Sequence, residues 1–201
     1  FLNMLKINHP IKVTTIVGTY EGQIAIRKPS EHPEGEDAFR KQIEQCKEFF
    51  GLNSLIDWQI IYVVDGDDRN PKDKFRQEKT NSIMAKILIE EYPGYLKSGK
   101  VKIFEFNQSI KKTIGSIQGG AVVYGMREAL RDGSDYMVYT TQDLDTHISF
   151  EGNLIKPMFD KKIDLVIGSN RVKDGIIKDY AKTRFIFSTL YNWYVRLMVP
   201  L

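Results

Sequence analysis

Asp143-Leu144-Asp145 sets two carboxylates one residue apart, directly after the run Tyr136–Thr141. Acids so placed raise each other's pKa and call for a neutralising partner. A divalent cation held through oxygen ligands is one such partner. Mg²⁺ takes one or two protein carboxylates and completes its shell with substrate phosphates and water. A solvated turn that happens to carry two acids is the other reading. Asp65 closes the run IIYVV and sits beside Gly66. Its carboxylate can accept a hydrogen bond from a nucleobase N–H or a ribose hydroxyl, or it can form an Asx turn for backbone reasons alone. The stretch Gly115–Gly120 (GSIQGG) precedes a helical pattern. Glycines there admit close backbone approach, and a helix N-terminus favours phosphate. Close packing of a helix on a sheet accounts for Gly119 and Gly120 equally well. The stretch lacks the Gly-Lys-Ser/Thr of a Walker A loop and is not a clean GxGxxG. His147, two residues past Asp145, is a candidate metal ligand or substrate contact. His9 and His32 lie in loop-like contexts and read as structural or solvent-facing. Cys46 falls on an apolar helix face and reads as core.

These residues need elements to position them. Ile11–Gly18 is a β-branched run ending in glycine and reads as a buried strand. Tyr20–Asp37 is rich in Gly, Pro, Glu and Ser and reads as a long loop, of the kind that is often functional or mobile. Phe39, Ile43, Cys46 and Phe50 recur at steps of three and four, which predicts an amphipathic helix over 38–50. Trp58–Val64 is a second strand, and Thr80–Tyr92 a helix stopped by Pro93-Gly94. Val101–Phe106 is a third strand, Ala121–Leu130 a helix and Tyr136–Thr141 a fourth strand. Ser149–Phe159 reads as a helix and Asp164–Gly168 as a fifth strand. Alternating strands and helices predict an α/β fold with a mainly parallel sheet, whose ligands bind outside the carboxyl ends of the strands. The polar clusters fall at those ends: Thr19-Tyr20-Glu21, Asp65–Asp68, Asp143–Asp145 and Ser169-Asn170-Arg171. They are expected to converge on one rim of the sheet.

Composition narrows the function classes. The chain has 201 residues, 42% hydrophobic and 27% charged, which suits a single globular domain. Its net charge of +3 is too balanced to indicate a nucleic-acid binder. The single cysteine excludes an intrachain disulfide framework and a cysteine-built metal site, and it favours a reducing, cytoplasmic compartment. No apolar run reaches membrane-spanning length. The chain opens at Phe1 and closes at Leu201 directly after an apolar stretch, so one domain cut at its C-terminal end is expected. Lys182–Leu201 is aromatic-rich, carries Arg184 and Arg196 and contains no acid. It reads as a segment facing a membrane surface or an acceptor with an apolar tail, or else as a helix packing on protein beyond this chain.

In order and spacing, the segments resemble the family 2 glycosyltransferases of the GT-A fold, particularly those that build polyprenyl-phosphate sugars, such as the dolichol-phosphate mannosyltransferases. The likeness runs from about Ile11 to the end. Val13–Glu21 (VTTIVGTYE) resembles the opening strand and its P-T-Y-N-E-like turn. Ile60–Asp68 (IIYVVDGDD) resembles the strand ending V-V-D-D-G-S. Gly115–Leu130 resembles the G-K-G-x-A-x-x-x-G helix start, and Asp135–His147 the strand carrying the DxD motif. Asp164–Val172 resembles the I-G-S-R strand, and Arg184, Ser188 and Asn192 echo an R-x-x-x-S-x-x-x-N run. The family pattern differs at Gly18 (usually Pro), Gln118 (commonly Lys), Thr141 (the first Asp in an ungapped match) and Asn170 (Arg). That ungapped match puts Asp143 at the second Asp position, with Asp145 an extra acid; a shifted match makes Asp143-Leu144-Asp145 the DxD itself.

The resemblance implies a three-layer, Rossmann-like GT-A sandwich that binds a UDP- or GDP-sugar with Mg²⁺ or Mn²⁺ and transfers the sugar with inversion. It implies a donor-binding set of Thr19, Glu21, Asp65, Asp67, Gln118 and Gly119. Asp143 and Asp145 would hold the metal, and Asp143, Asp145 and Arg171 would form the catalytic set. Stabilisation of the departing diphosphate would then be the main catalytic effect. The acceptor would be a lipid phosphate such as a polyprenyl phosphate, steered by Arg171 or Arg184 at the cytoplasmic face of a membrane. Two other readings remain. One is a nucleotide-sugar-binding module without turnover. The other is a haloacid-dehalogenase-like phosphatase, whose D-x-D-x-T signature differs here by His147 in the Thr position and by lying late in the chain.

Overall fold

The computed structural model describes residues 10–65, 72–114, 117–144, 147–148, 153–158 and 163–166. The chain divides into two compact units, Phe1–Ile163 and Asp164–Leu201. In the first unit the described elements run in the order β1 (Ile11–Thr19), α1 (Ala38–Phe50), β2 (Ile56–Asp65), α2 (Thr80–Glu91), α3 (Pro93–Ser98), β3 (Val101–Phe106), α4 (Gln108–Ile114), α5 (Ile117–Arg131) and β4 (Tyr136–Thr141). The four described strands form one sheet in the order β3-β2-β1-β4, and every pairing is parallel. This is the expected α/β, Rossmann-like arrangement. The chain runs β1, β2, β3 in one direction and then crosses back to place β4 on the other side of β1. The seam between β1 and β4 is therefore the topological switch point.

Both faces of the sheet are covered, giving three layers. Val13, Val17, Ile60, Tyr62 and Val64 point to one face, where they pack with Phe39, Ile43, Cys46 and Phe50 of α1 and Met84, Ile87 and Leu88 of α2. Ile16, Ile61 and Val63 point to the other face and meet Ala121 and Ala129 of α5, with Phe106. Strand residues alternate faces with period two, so a β-branched run buried on both sides is what a central parallel strand requires. Cys46 is fully buried in the first core, as its helical position indicates.

Helix α5 approaches the sheet through a stripe of small residues, Ala121, Gly125 and Ala129, at four-residue steps. A Cβ at Gly125 would lie 2.5 Å from Ile16 Cγ2 and 3.1 Å from Val63 Cγ2. Helix α1 starts at Asp37, in the left-handed region (φ 55°). Arg40 then clamps two helices together: Nη1 donates to Asp37 Oδ1 at 2.7 Å, while Nε and Nη2 donate to the two Glu91 carboxylate oxygens at 2.7 and 2.6 Å. The guanidinium holds the Glu91 carboxyl below its ordinary range.

Several boundaries differ from the sequence reading. Pro93 does not merely stop α2; it opens α3 at a first-turn position, where its missing N–H is harmless. Helix α4 has no counterpart in that reading, because QSIKKTI shows no apolar stripe. Helix α5 begins at Ile117, four residues before the expected start. Residues 153–158 are helical within the expected 149–159 helix. The expected strand at 164–168 is not seen in its described part. Residues 164–166 carry no strand, and Leu165 is 72% exposed, where a central strand would bury it. Ile167 and Gly168 of that motif, and the 182–201 segment, lie outside the described residues.

The Tyr20–Asp37 connection contains no helix or strand but is packed down by turns. Ile26 is fully buried in the first core, and Ala25 O accepts hydrogen bonds from the amides of Glu36 and Ala38. Arg27 Nη2 donates to Phe75 O at 3.2 Å, and His32 meets the Phe75 ring edge-on at 4.6 Å. His32 is thus structural.

The stripe on α5 yields a stability test. Gly125→Ala gains about 1 kcal/mol of helix propensity but forces the helix off the sheet, at about 1–3 kcal/mol. A lower urea midpoint is expected; a midpoint equal to or above wild type would show that α5 has room to spare.

Candidate functional site

The pocket arises from strand register. Thr19 pairs with Val64, Gly18 with Thr141, and Asp65 with Phe106. The four strands therefore end within about two residues of one another, and the turns that leave them meet at one rim. A cleft of about 270 Å³ opens there. It is walled by Gly18–Gly22 at the end of β1 and the turn after it, by Asp65 and Phe106 at the ends of β2 and β3, by Ala121 in α5, and by Tyr139 and Thr141–Asp143 of β4 and its exit. Its volume sits near the lower end for small-ligand sites, roughly 300–1,000 Å³.

Thr19, Glu21, Asp65 and Asp143, far apart in the chain, are brought together as the sequence indicated. Gly119 lies exposed in the first turn of α5, and Gln118 precedes it there, its side chain outside the described residues. Ala121, one turn in from the start of α5, reaches the pocket wall. Asp67, Asp145 and Arg171 lie outside the described residues.

Two acids of the expected donor-binding set, Asp65 and Glu21, already have cationic partners. Asp65, 3% exposed, accepts a hydrogen bond from Lys111 Nζ of α4 at 2.6 Å. Removing one member of so buried a pair strands the other, typically at about 3–5 kcal/mol. Glu21, at the mouth, accepts from Arg76 Nη1. The Thr19 hydroxyl is buried without a hydrogen-bond partner among the described residues. Among the described residues, two of the three non-glycine positions with positive φ border the site, Glu21 (49°) and Leu144 (47°). Such conformations cost about 1–2 kcal/mol each and are held by their surroundings.

The β4 side is held by a buried amide. Gln42 of α1 donates through Nε2 to Thr141 O at 3.0 Å and accepts at Oε1 from the Tyr62 hydroxyl at 3.1 Å. Gln142 in turn donates to Gly22 O at 3.5 Å. This chain ties α1, β2, the end of β4 and the turn after β1 into one frame behind Asp143. The sequence offered one signal for Gln42: it falls three residues after Phe39 and four before Cys46, on the buried stripe. Lys111, Arg76 and Tyr139 gave none.

Asp143 is exposed on the cleft wall. It is the described carboxylate best placed to share a cation with a ligand's phosphates, since Mg²⁺ needs only one or two protein oxygens when phosphates supply others. Among the described residues, no three Asp, Glu, His or Cys side chains gather into a ready-made cation cage. His147 is exposed. Burial, and then the charge of Asp143, push the Tyr139 phenol above its ordinary pKa. Comparison of the chain with family models, curated proteins and solved structures returned no match.

The Asp143 charge on Tyr139 can be measured. Neutralising it by Asp143→Asn should move the Tyr139 phenol back down toward the ordinary tyrosine value, with the burial contribution remaining. Tyrosine ring NMR across a pH series, assigned with Tyr139→Phe, reads this shift. An unmoved titration would show that Asp143 does not face Tyr139.

Proposed function

We propose that the chain is an inverting, metal-dependent glycosyltransferase of the family 2 type, taking a UDP- or GDP-sugar as donor. One observation carries this reading: Thr19, Glu21, Asp65 and Asp143 line a single cleft at the carboxyl edge of a parallel sheet, across the β1–β4 switch point. That is where open α/β sheets bind nucleotides.

The residues divide the work by position. Asp65, at the β2 end, is an acceptor for a base N–H or a ribose hydroxyl, and its ion pair with Lys111 fixes its orientation. The strained turn at Glu21 closes the mouth beside it. The start of α5, one turn before Ala121 on the cleft wall, is proposed to favour the diphosphate electrostatically. Asp143, with Asp145, would hold Mg²⁺ or Mn²⁺, which when bound neutralises charge building on the departing diphosphate. An acceptor oxygen attacks the sugar's anomeric carbon from the face opposite the diphosphate, whose C–O bond breaks, and the configuration inverts. A polyprenyl phosphate suits such chemistry as acceptor, because it is already anionic and needs little base catalysis. Arg171 and the 182–201 segment are proposed to meet it at the cytoplasmic face of a membrane. No helix among the described residues is long and apolar enough to cross one.

A binding module without turnover is the second reading, favoured by Thr141 in the place of the first family Asp.

A panel of UDP- and GDP-sugars with Mn²⁺ should raise the melting temperature for one nucleotide class, since a ligand at a hundred times its Kd stabilises by about 2.7 kcal/mol. Asp65→Asn should weaken that nucleotide about tenfold. Asp143→Ala should remove the Mn²⁺ dependence. Donor hydrolysis separates enzyme from module. No stabilisation by any nucleotide, or Mn²⁺-dependent binding unaltered in Asp143→Ala, would overturn the assignment.

A further inference from the structure

Tyr139 stands where the cleft crosses the seam between β1 and β4. It pairs in register with Ile16, and two residues later Thr141 pairs with Gly18. The Tyr139 ring reaches along the seam and lies across Gly18. A Cβ at position 18 would come 3.3 Å from the phenol oxygen and 3.4 Å from Cε2. The ring thus packs closely over Gly18, where a Cβ would be a tight contact. The side chain is 39% exposed, and both residues line the cleft with Asp143. Among the described residues, the Tyr139 hydroxyl takes part in no hydrogen bond. A phenol is both donor and acceptor, and here it is held by packing alone.

We infer that Tyr139 is a ligand-contacting, specificity-determining residue, which donates its phenol hydrogen to an anionic oxygen of the bound ligand, and that Gly18 lets its ring lie close against β1. This rests on the nucleotide reading above. Along the rim the order is Asp65 on β2, Thr19–Gly22 after β1, then Tyr139 and Asp143 on β4 and its exit. With the base at Asp65, the β4 side receives the diphosphate. Tyr139 therefore reads the phosphate end of the ligand and not its base.

The test measures binding of UDP, GDP, uridine and guanosine by calorimetry to wild type, Tyr139→Phe, Gly18→Ala and the double variant, with folding checked by circular dichroism. For the diphosphate that wild type binds, Tyr139→Phe should weaken affinity about tenfold, as loss of a hydrogen bond to a charged group does. The matching nucleoside should bind unchanged. Gly18→Ala shifts the ring by a few tenths of an ångström and should give a loss no larger than that of Tyr139→Phe. The double variant should be no weaker than Tyr139→Phe alone, because both changes act on one contact. Unaltered diphosphate affinity in Tyr139→Phe, or an equal loss for the nucleoside, would overturn the inference alone. Additive losses would overturn the pairing of Gly18 with Tyr139. Failure of wild type to bind any of the four overturns the nucleotide reading, and this inference with it.

Discussion

The site depends on the register of β1. This strand pairs on one side with β2 and on the other with β4, and both pairings are parallel. Because Gly18 is level with Val63 and with Thr141, three strands deliver their exits within two residues of one another. A slip of one residue would turn Ile16 and Val17 to the wrong faces and would carry Thr19 and Glu21 away from Asp65 and Asp143. Two dry cores therefore specify the pocket. The apolar residues buried above and below the sheet decide where the acids stand.

Acids gathered at one rim repel each other and resist burial, and the fold answers with local cations. Lys111 reaches Asp65 from α4, and Arg76 reaches Glu21 from the segment before α2. Coulomb attraction in a partly dry cleft is stronger than in water, and so is the penalty for leaving one partner alone. The neighbourhood of the proposed ligand is thus a set of oriented ion pairs rather than a bare cluster of negative charge. Asp143 differs, since it stands exposed on the wall.

Much of this was legible in the sequence because its signals are local. IKVTTIVG, WQIIYVV and VKIFEF are β-branched or aromatic runs bounded by turn residues, and each is a strand within a residue or two of expectation at its carboxyl end. The acids at Glu21, Asp65 and Asp143 stood out because each comes just after such a run. What escaped was non-local or lacked periodicity. Helix α4 is short and polar. Lys111 pairs across 46 positions and Arg76 across 55, and no local pattern announces either. Pro93 carries two meanings, helix end and helix start, and here both apply. In 164–166 the apolar composition resembles a strand, but composition cannot distinguish a buried run from an exposed one.

The connection between β1 and α1 also bears on how far this chain can vary. Ordinarily a long surface loop is cheap to lengthen or shorten, because closure entropy changes slowly with length. Here Ile26 is a member of the same core as Phe39 and Tyr62, and the turns around it are sewn to the start of α1. Deleting part of 23–37 would remove core volume together with loop. This connection is therefore a structural wall of the molecule, with its boundaries set by packing, and not an ornament free to drift.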